Sequence, residues 1–157
     1  MKQILGLFAL LIIIVIGIVL AQNYIKTKSF FPFEKNPSAA INGKTFQLKV
    51  AKSQEEKEIG LSKTESLSEN QGMIFLFDDP GYYSFWMKDM KFSIDIIFIN
   101  KDNVVEISEN AQPQTESTSN LKIYTPIEPI DKVLEIKSGL SKKNNIKKGD
   151  KIQIKNL

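Results

Sequence analysis

A mainly β domain is the fold class this sequence predicts: a β-sandwich or barrel-like body with two short helices, preceded by one N-terminal hydrophobic helix. Three observations carry the prediction. Short apolar runs recur between turn-forming residues from Ile41 onward. Two of these runs, TFQLKVA and FSIDIIFI, contain the period-two alternation of a half-buried strand. Residues 4–21, ILGLFALLIIIVIGIVLA, are 18 uncharged and apolar residues at the start of the chain.

As a helix, residues 4–21 would extend roughly 27 Å at about 1.5 Å per residue, close to the hydrocarbon thickness of a bilayer. An uncleaved anchor and a signal peptide compete for this segment. Lys2 supplies a positive start, and Val19-Leu20-Ala21 loosely fits a cleavage site. The apolar run is longer than a usual signal core, however, and no polar spacer precedes Ala21, which favours the anchor. The charges flanking the segment, Lys2 against Lys26 and Lys28, barely decide its orientation. A short tail ahead of a long domain places the domain outside. The expected location is therefore the cell membrane, through a single N-terminal anchor, with the domain outside. The alternative is a secreted chain cleaved after Ala21. Residues 1–21 form the anchor or signal peptide. Residues 22–40, with Pro32 and Pro37 and no sustained period, read as a linker, and residues 41–157 as the β-rich domain.

Within that domain, Asn42-Gly43 suits a tight turn into a strand over 45–51, where Phe46, Leu48 and Val50 alternate with Gln47 and Lys49. Ser53 followed by Glu56 is a capping box that opens a helix, with Gly60 near its end. Residues 72–77, GMIFLF, have the continuous apolar character of a strand covered on both faces. Asp78-Asp79-Pro80-Gly81 reads as a turn, and 82–87 as the next strand. Residues 92–99 form another, with Phe92, Ile94, Ile96 and Phe98 on one face and Ser93, Asp95, Ile97 and Ile99 on the other. The turn 100–103 leads to a strand over 104–107. Residues 110–120 are a long polar loop. A strand over 132–136, a short helix over 138–145, a turn at Gly149-Asp150 and a last strand over 151–154 complete the order.

Composition narrows the function. The 21 basic residues are all Lys, and the net charge is only +3. Without Arg for bidentate contacts to bases and phosphates, and without a basic block, no nucleic-acid partner is expected. His and Cys are both absent. That removes thiol and His-dependent nucleophilic catalysis and nearly all zinc, copper and iron–sulfur sites. No cofactor and no metal site is implied. Any chemistry would rest on Asp, Glu, Lys, Tyr or Ser, which weighs against an enzyme.

Asp95 stands out because it lies among Ile and Phe, where an unpaired charge costs several kcal/mol. Lys88, across the expected hairpin, is its expected partner. Glu135, in VLEI, is a second carboxylate inside an apolar run. Trp86, the single Trp, lies beside Met87 and close to Tyr82 and Tyr83. Aromatic side chains at a pocket mouth suit sugars, peptides or apolar ligands. The candidate ligand-binding residues are therefore Trp86, Met87, Lys88, Asp95 and Glu135. If Lys88, Asp95 and Glu135 converge, the two carboxylates and a Lys could also serve hydrolysis of a glycosidic or similar bond.

The segments LKVAKSQEEKEIGLS, ENQGMIFLFDDP, SFWMKDMKFSIDIIFINKDNVVEI and VLEIKSGLSKKNNIKKGDKIQI occur in this order over about two-thirds of the chain. Together they resemble domain-of-unknown-function family 192, also called uncharacterised protein family 0127. The resemblance implies a mostly β fold and an N-terminal export signal or anchor, but it implies no activity. The expected function is an extracytoplasmic, membrane-anchored β-domain that binds a ligand or protein partner at the cell envelope. The alternative is a carboxylate-dependent hydrolase of envelope or extracellular polysaccharide.

Overall fold

The computed structural model describes residues 36–114 and 121–157. The apolar segment 4–21, the expected linker up to residue 35 and residues 115–120 of the polar loop lie outside the described residues. Among the described residues no helix is long and apolar enough to cross a membrane.

The elements in chain order are β1 (Ser38–Ile41), β2 (Lys44–Ala51), α1 (Gln54–Ile59), β3 (Gln71–Gly81), β4 (Phe85–Trp86), β5 (Ile94–Asn100), β6 (Asn103–Ala111), β7 (Ile123–Tyr124), β8 (Ile130–Lys137), α2 (Leu140–Lys143) and β9 (Gln153–Lys155). Seven strands form one sheet in the order β6-β5-β8-β3-β2-β1-β9, while β4 and β7 form a separate pair. Among the described residues, β2–β3 is the one parallel pair in the sheet. A parallel neighbour needs a long crossover, and the chain between Ala51 and Gln71 supplies one, carrying α1. Both halves of the expected capping box are present there. Ser53 Oγ accepts from the Glu56 N–H at 3.2 Å, and Glu56 accepts from the Ser53 N–H at 2.9 Å. Asn42 and Gly43 have φ of 48° and 78°, the left-handed geometry a two-residue hairpin turn requires.

The fold is mainly β with two short helices, and the sheet is a curled half-barrel. Its two edges approach each other at one end. The Val104 N–H, on β6, donates to Asp150 O at 2.9 Å, and the Ile152 N–H donates to Asp102 O at 2.9 Å. On the inner face one apolar cluster joins Val104 of the edge strand β6, Ile152 before the other edge strand β9 and Ala39 of β1 to Ile74, Ile97, Leu134 and Ile136 of the central strands. The outer face carries a second cluster of Met73, Phe75, Ile94, Ile96, Phe98 and Val133. It is covered by Leu61 and Leu67 of the crossover, by Met87 and by Tyr124 of β7. Two covered faces explain why 72–77 is apolar without interruption and 94–99 is apolar but for Asp95.

Four differences from the sequence reading exceed two residues or change an element's type. β1 begins at Ser38, inside the expected linker; its small residues show little pattern, and pairing with both β2 and β9 makes it a strand. Asp78–Gly81 is not a turn but the end of β3. The pairing with β8 shifts register between Leu76 and Gly81 there, an irregularity that accommodates a Pro without an N–H. The strand expected over 82–87 contracts to β4, whose partner β7 has only two residues and no sequence signal. β6 extends to Ala111, into the region expected to be loop.

Candidate functional site

Asp95 and Glu135 lie on neighbouring strands but on opposite faces. Residue 95 pairs with Ile136, and Ile96 pairs with Glu135, so alternation sends one carboxylate inward and the other outward. Asp95 belongs to the inner face and is 0% exposed. Its Oδ1 accepts from the N–H groups of Asn110 at 2.9 Å and Gly139 at 3.2 Å, and its Oδ2 accepts from the Ser141 N–H at 2.9 Å. Two of these donors belong to the first turn of α2, where backbone N–H groups have no partner within the helix. The third comes from Asn110, whose φ of 53° bends β6 toward the site. The expected partner Lys88 is therefore corrected. Its side chain lies on the exposed side of the outer layer, and three backbone donors satisfy Asp95 on the other face of the sheet. Charge-assisted bonds to fixed backbone N–H groups serve a buried carboxylate without burying a second charge.

On the outer face the structure opens a cleft of about 400 Å³, a size suited to a small organic ligand. One side is α1 and the turn after it, from Lys57 to Ser62. The other is Phe77, Asp78 and Asp79 of β3 with Tyr83 to Trp86. The C-terminal residue of the helix turn, Gly60, has φ of 50°, and a Cβ there would meet the Phe75 ring at 3.5 Å. It needs to be Gly mainly for its conformation. Phe77 stacks on Tyr83 with 3.7 Å between ring centroids. Phe85 turns inward, edge-on to Phe75 at 5.1 Å, so its neighbour Trp86 turns out to the cleft and is 50% exposed. Tyr83 is held by its hydroxyl, which donates to Asp79 O at 2.7 Å.

Glu135 also lines this cleft. It is 6% exposed, lies between Met73 of β3 and Ile96 of β5, and makes no side-chain hydrogen bond to the described residues. Burial pushes its carboxyl up to about 8, so at neutral pH it is mostly the uncharged acid. The cleft thus has an acid in its floor, aromatic walls and charged groups at its rim.

Of the five residues singled out in the sequence, Trp86, Lys88 and Glu135 meet in the cleft. Met87 does not: it is 0% exposed in the outer core, because alternation along 85–88 turns Phe85 and Met87 inward. Asp95 does not either, for the reason given above. The sequence reading missed Phe77, Asp78 and Asp79 as site residues because DDPG was expected to be a turn between two strands. It missed Lys57 because nothing local places α1 across from β3. The alternation of YYSFWMK was the available signal for the outward Trp86 and Lys88.

A family model described as "Uncharacterized ACR", DUF192, matches residues 37–154. A protein of unknown function from Novosphingobium aromaticivorans is similar in structure, with a TM-score of 0.66 and 32% identity over 74% of this chain and 82% of its own. A Sinorhizobium meliloti protein, provisionally described as a transcription regulator, aligns with a TM-score of 0.67 and 25% identity over 80% of this chain and 99% of its own. No curated protein matches the chain.

Proposed function

The chain belongs to the DUF192 family, and from that premise we propose that its β-domain binds a small, partly apolar ligand in the cleft over Glu135, as the outward domain of a membrane-anchored, extracytoplasmic protein. The observation that carries the binding reading is Glu135, more than nine-tenths buried, without a side-chain partner, and facing an aromatic-walled cleft with the only Trp at its mouth. Among the described residues the fully buried side-chain polar atom without a partner is Ser141 Oγ, so the Glu135 oxygens open to the cleft, where a ligand donor can take the place of water. Residues 4–21 support the anchored location by their length and apolar character. The regulator description of the S. meliloti protein is not carried over, because this chain has no Arg with which to read nucleic acid.

Trp86 makes the test direct, since the single Trp of the chain lines the cleft and its emission reports there. The full chain is titrated with a panel of small aromatic fragments and mono- and disaccharides, followed by Trp86 fluorescence and by amide chemical shifts of 57–62 and 83–88. Saturable shifts confined to these residues are expected. If no compound in the panel moves them, the binding reading fails. A chain whose mature N-terminus is Gln22 by mass spectrometry rules out the anchor. Paired-carboxylate hydrolysis would have to use Glu135 with Glu58, Asp78 or Asp79, since Asp95 lies on the other face. Glycan turnover that Glu135→Gln abolishes in a folded protein would replace the binding reading.

A further inference from the structure

We infer that the ligand of this cleft is an organic ammonium, a primary amine carried on a small aromatic or apolar group. The inference rests on the cleft being a binding site and adds the charge of what it binds.

Three observations point the same way. The first is Glu135, whose buried carboxyl has no donor among the described residues and faces the cleft. An ammonium presents three N–H donors to such a group and favours its carboxylate form, whereas a neutral or anionic ligand leaves it the acid. The second is the charge of the lining. Glu58, Asp78 and Asp79 stand against Lys57 and Lys88, so the cleft is net negative even before Glu135 ionises. The third is an interaction the wall already makes. Lys57 Nζ lies 4.6 Å above the centroid of the Phe77 ring, which is itself stacked on Tyr83. The aromatic wall therefore accommodates an ammonium from the chain itself, and electron-rich ring faces attract organic cations generally. A bare metal ion does not fit. Among the described residues no three Asp or Glu side chains are grouped as metal ligands, although four carboxylates line the cleft.

Binding is then coupled to a proton. The free cleft holds Glu135 as the neutral acid. Seating an ammonium against it favours the carboxylate, and the proton passes to solvent, one per ligand bound. The groups that share the cleft with Glu135 are Lys57 and Glu58 of α1, Asp78 and Asp79 of β3, and Tyr83 and Lys88 beside β4. Its strand neighbours on β3 and β5, Met73 and Ile96, are apolar. Glu135, with its carboxyl raised to about 8, changes charge between pH 6 and 8. Below about pH 8 the affinity for an amine should fall by about tenfold per pH unit, because the ligand stays protonated while Glu135 takes up its proton.

The test uses three probes of like size and different charge: benzylamine, benzyl alcohol and phenylacetate. Each is titrated into the full chain and followed by Trp86 fluorescence from pH 6 to pH 8. Benzylamine is expected to bind at least about tenfold tighter than benzyl alcohol at pH 8 and to weaken by about tenfold from pH 7 to pH 6. Glu135→Gln should abolish both the preference and the pH dependence while melting no lower than the parent. Lys57→Met, which vacates the Phe77 face, should bind benzylamine a few-fold tighter. Equal binding of benzylamine and benzyl alcohol, or tightest binding of phenylacetate, would overturn the ammonium inference and leave the cleft reading standing. Binding of a saccharide but of none of the three probes would do the same. Failure of every compound to perturb the cleft would overturn both.

Discussion

Two carboxylates one strand apart have opposite solutions to burial. Asp95 is ionisable and fully buried, but it accepts three backbone N–H bonds. Asp95→Asn turns one of its oxygens into a donor that faces an N–H. The variant should lose about 2–3 kcal/mol of stability, read as a lower denaturation midpoint at pH 7 with cleft binding unchanged. An unchanged midpoint would show that these bonds do not hold α2. Glu135 has no such donors, and its folded-state value of about 8 lies above the ordinary 4.5. The folded state thus holds this proton more tightly than the unfolded state, and stability falls as pH rises from 4.5 to about 8. Glu135→Gln removes that loss. The variant and parent should melt alike near pH 4.5, with the variant gaining as pH rises and the difference levelling above about pH 8. A constant difference in melting temperature from pH 4.5 to 9 would show that Glu135 is solvated. The sequence showed that both carboxylates were anomalous. It did not show which would find donors, because those donors lie 15, 44 and 46 residues away.

At the scale of elements, β3 and β8 position the cleft floor, and their contact is tight. A Cβ on Gly72 would sit 2.8 Å from the carbonyl oxygen of Glu135 and 3.2 Å from side-chain carbons of Leu134 and Ile136. Backbone cannot move aside as a flexible side chain can, so Gly72→Ala forces the two strands apart. A loss of about 2–3 kcal/mol is expected, together with altered ligand affinity because Glu135 moves with its strand. Chemical denaturation and the Trp86 titration measure the two effects; an unaltered midpoint would mean the strands separate freely. The long strands were legible in sequence, since their apolar runs and period-two alternation come from the chain itself. The capping box of α1 was legible for the same reason, being local. β1, β7 and the end of β3 were not, because each is a strand only through its neighbours.

For the whole molecule the decisive feature is the curl that brings β6 to the segment before β9. Val104 and Ile152 are buried, and their N–H groups cross that seam. In native-state hydrogen exchange both should be protected to the level of the central strands β3, β5 and β8. Exchange of the two amides at the rate of exposed loops would show the seam open. The curl also separates an inner core, which Asp95 serves, from an outer layer in which the cleft forms.

Hydrophobic periodicity, turn residues and one capping box were enough to specify a β domain with two short helices and its order of long strands, because those signals act between residues close in the chain. Which face each carboxylate served, what neutralised Asp95, and the meeting of Glu135 with Trp86 and Lys57 were decided only in three dimensions. Each depends on strand register, and register brings groups such as Asp95 and its donors, 15, 44 and 46 positions apart, into contact through interactions that no local pattern encodes.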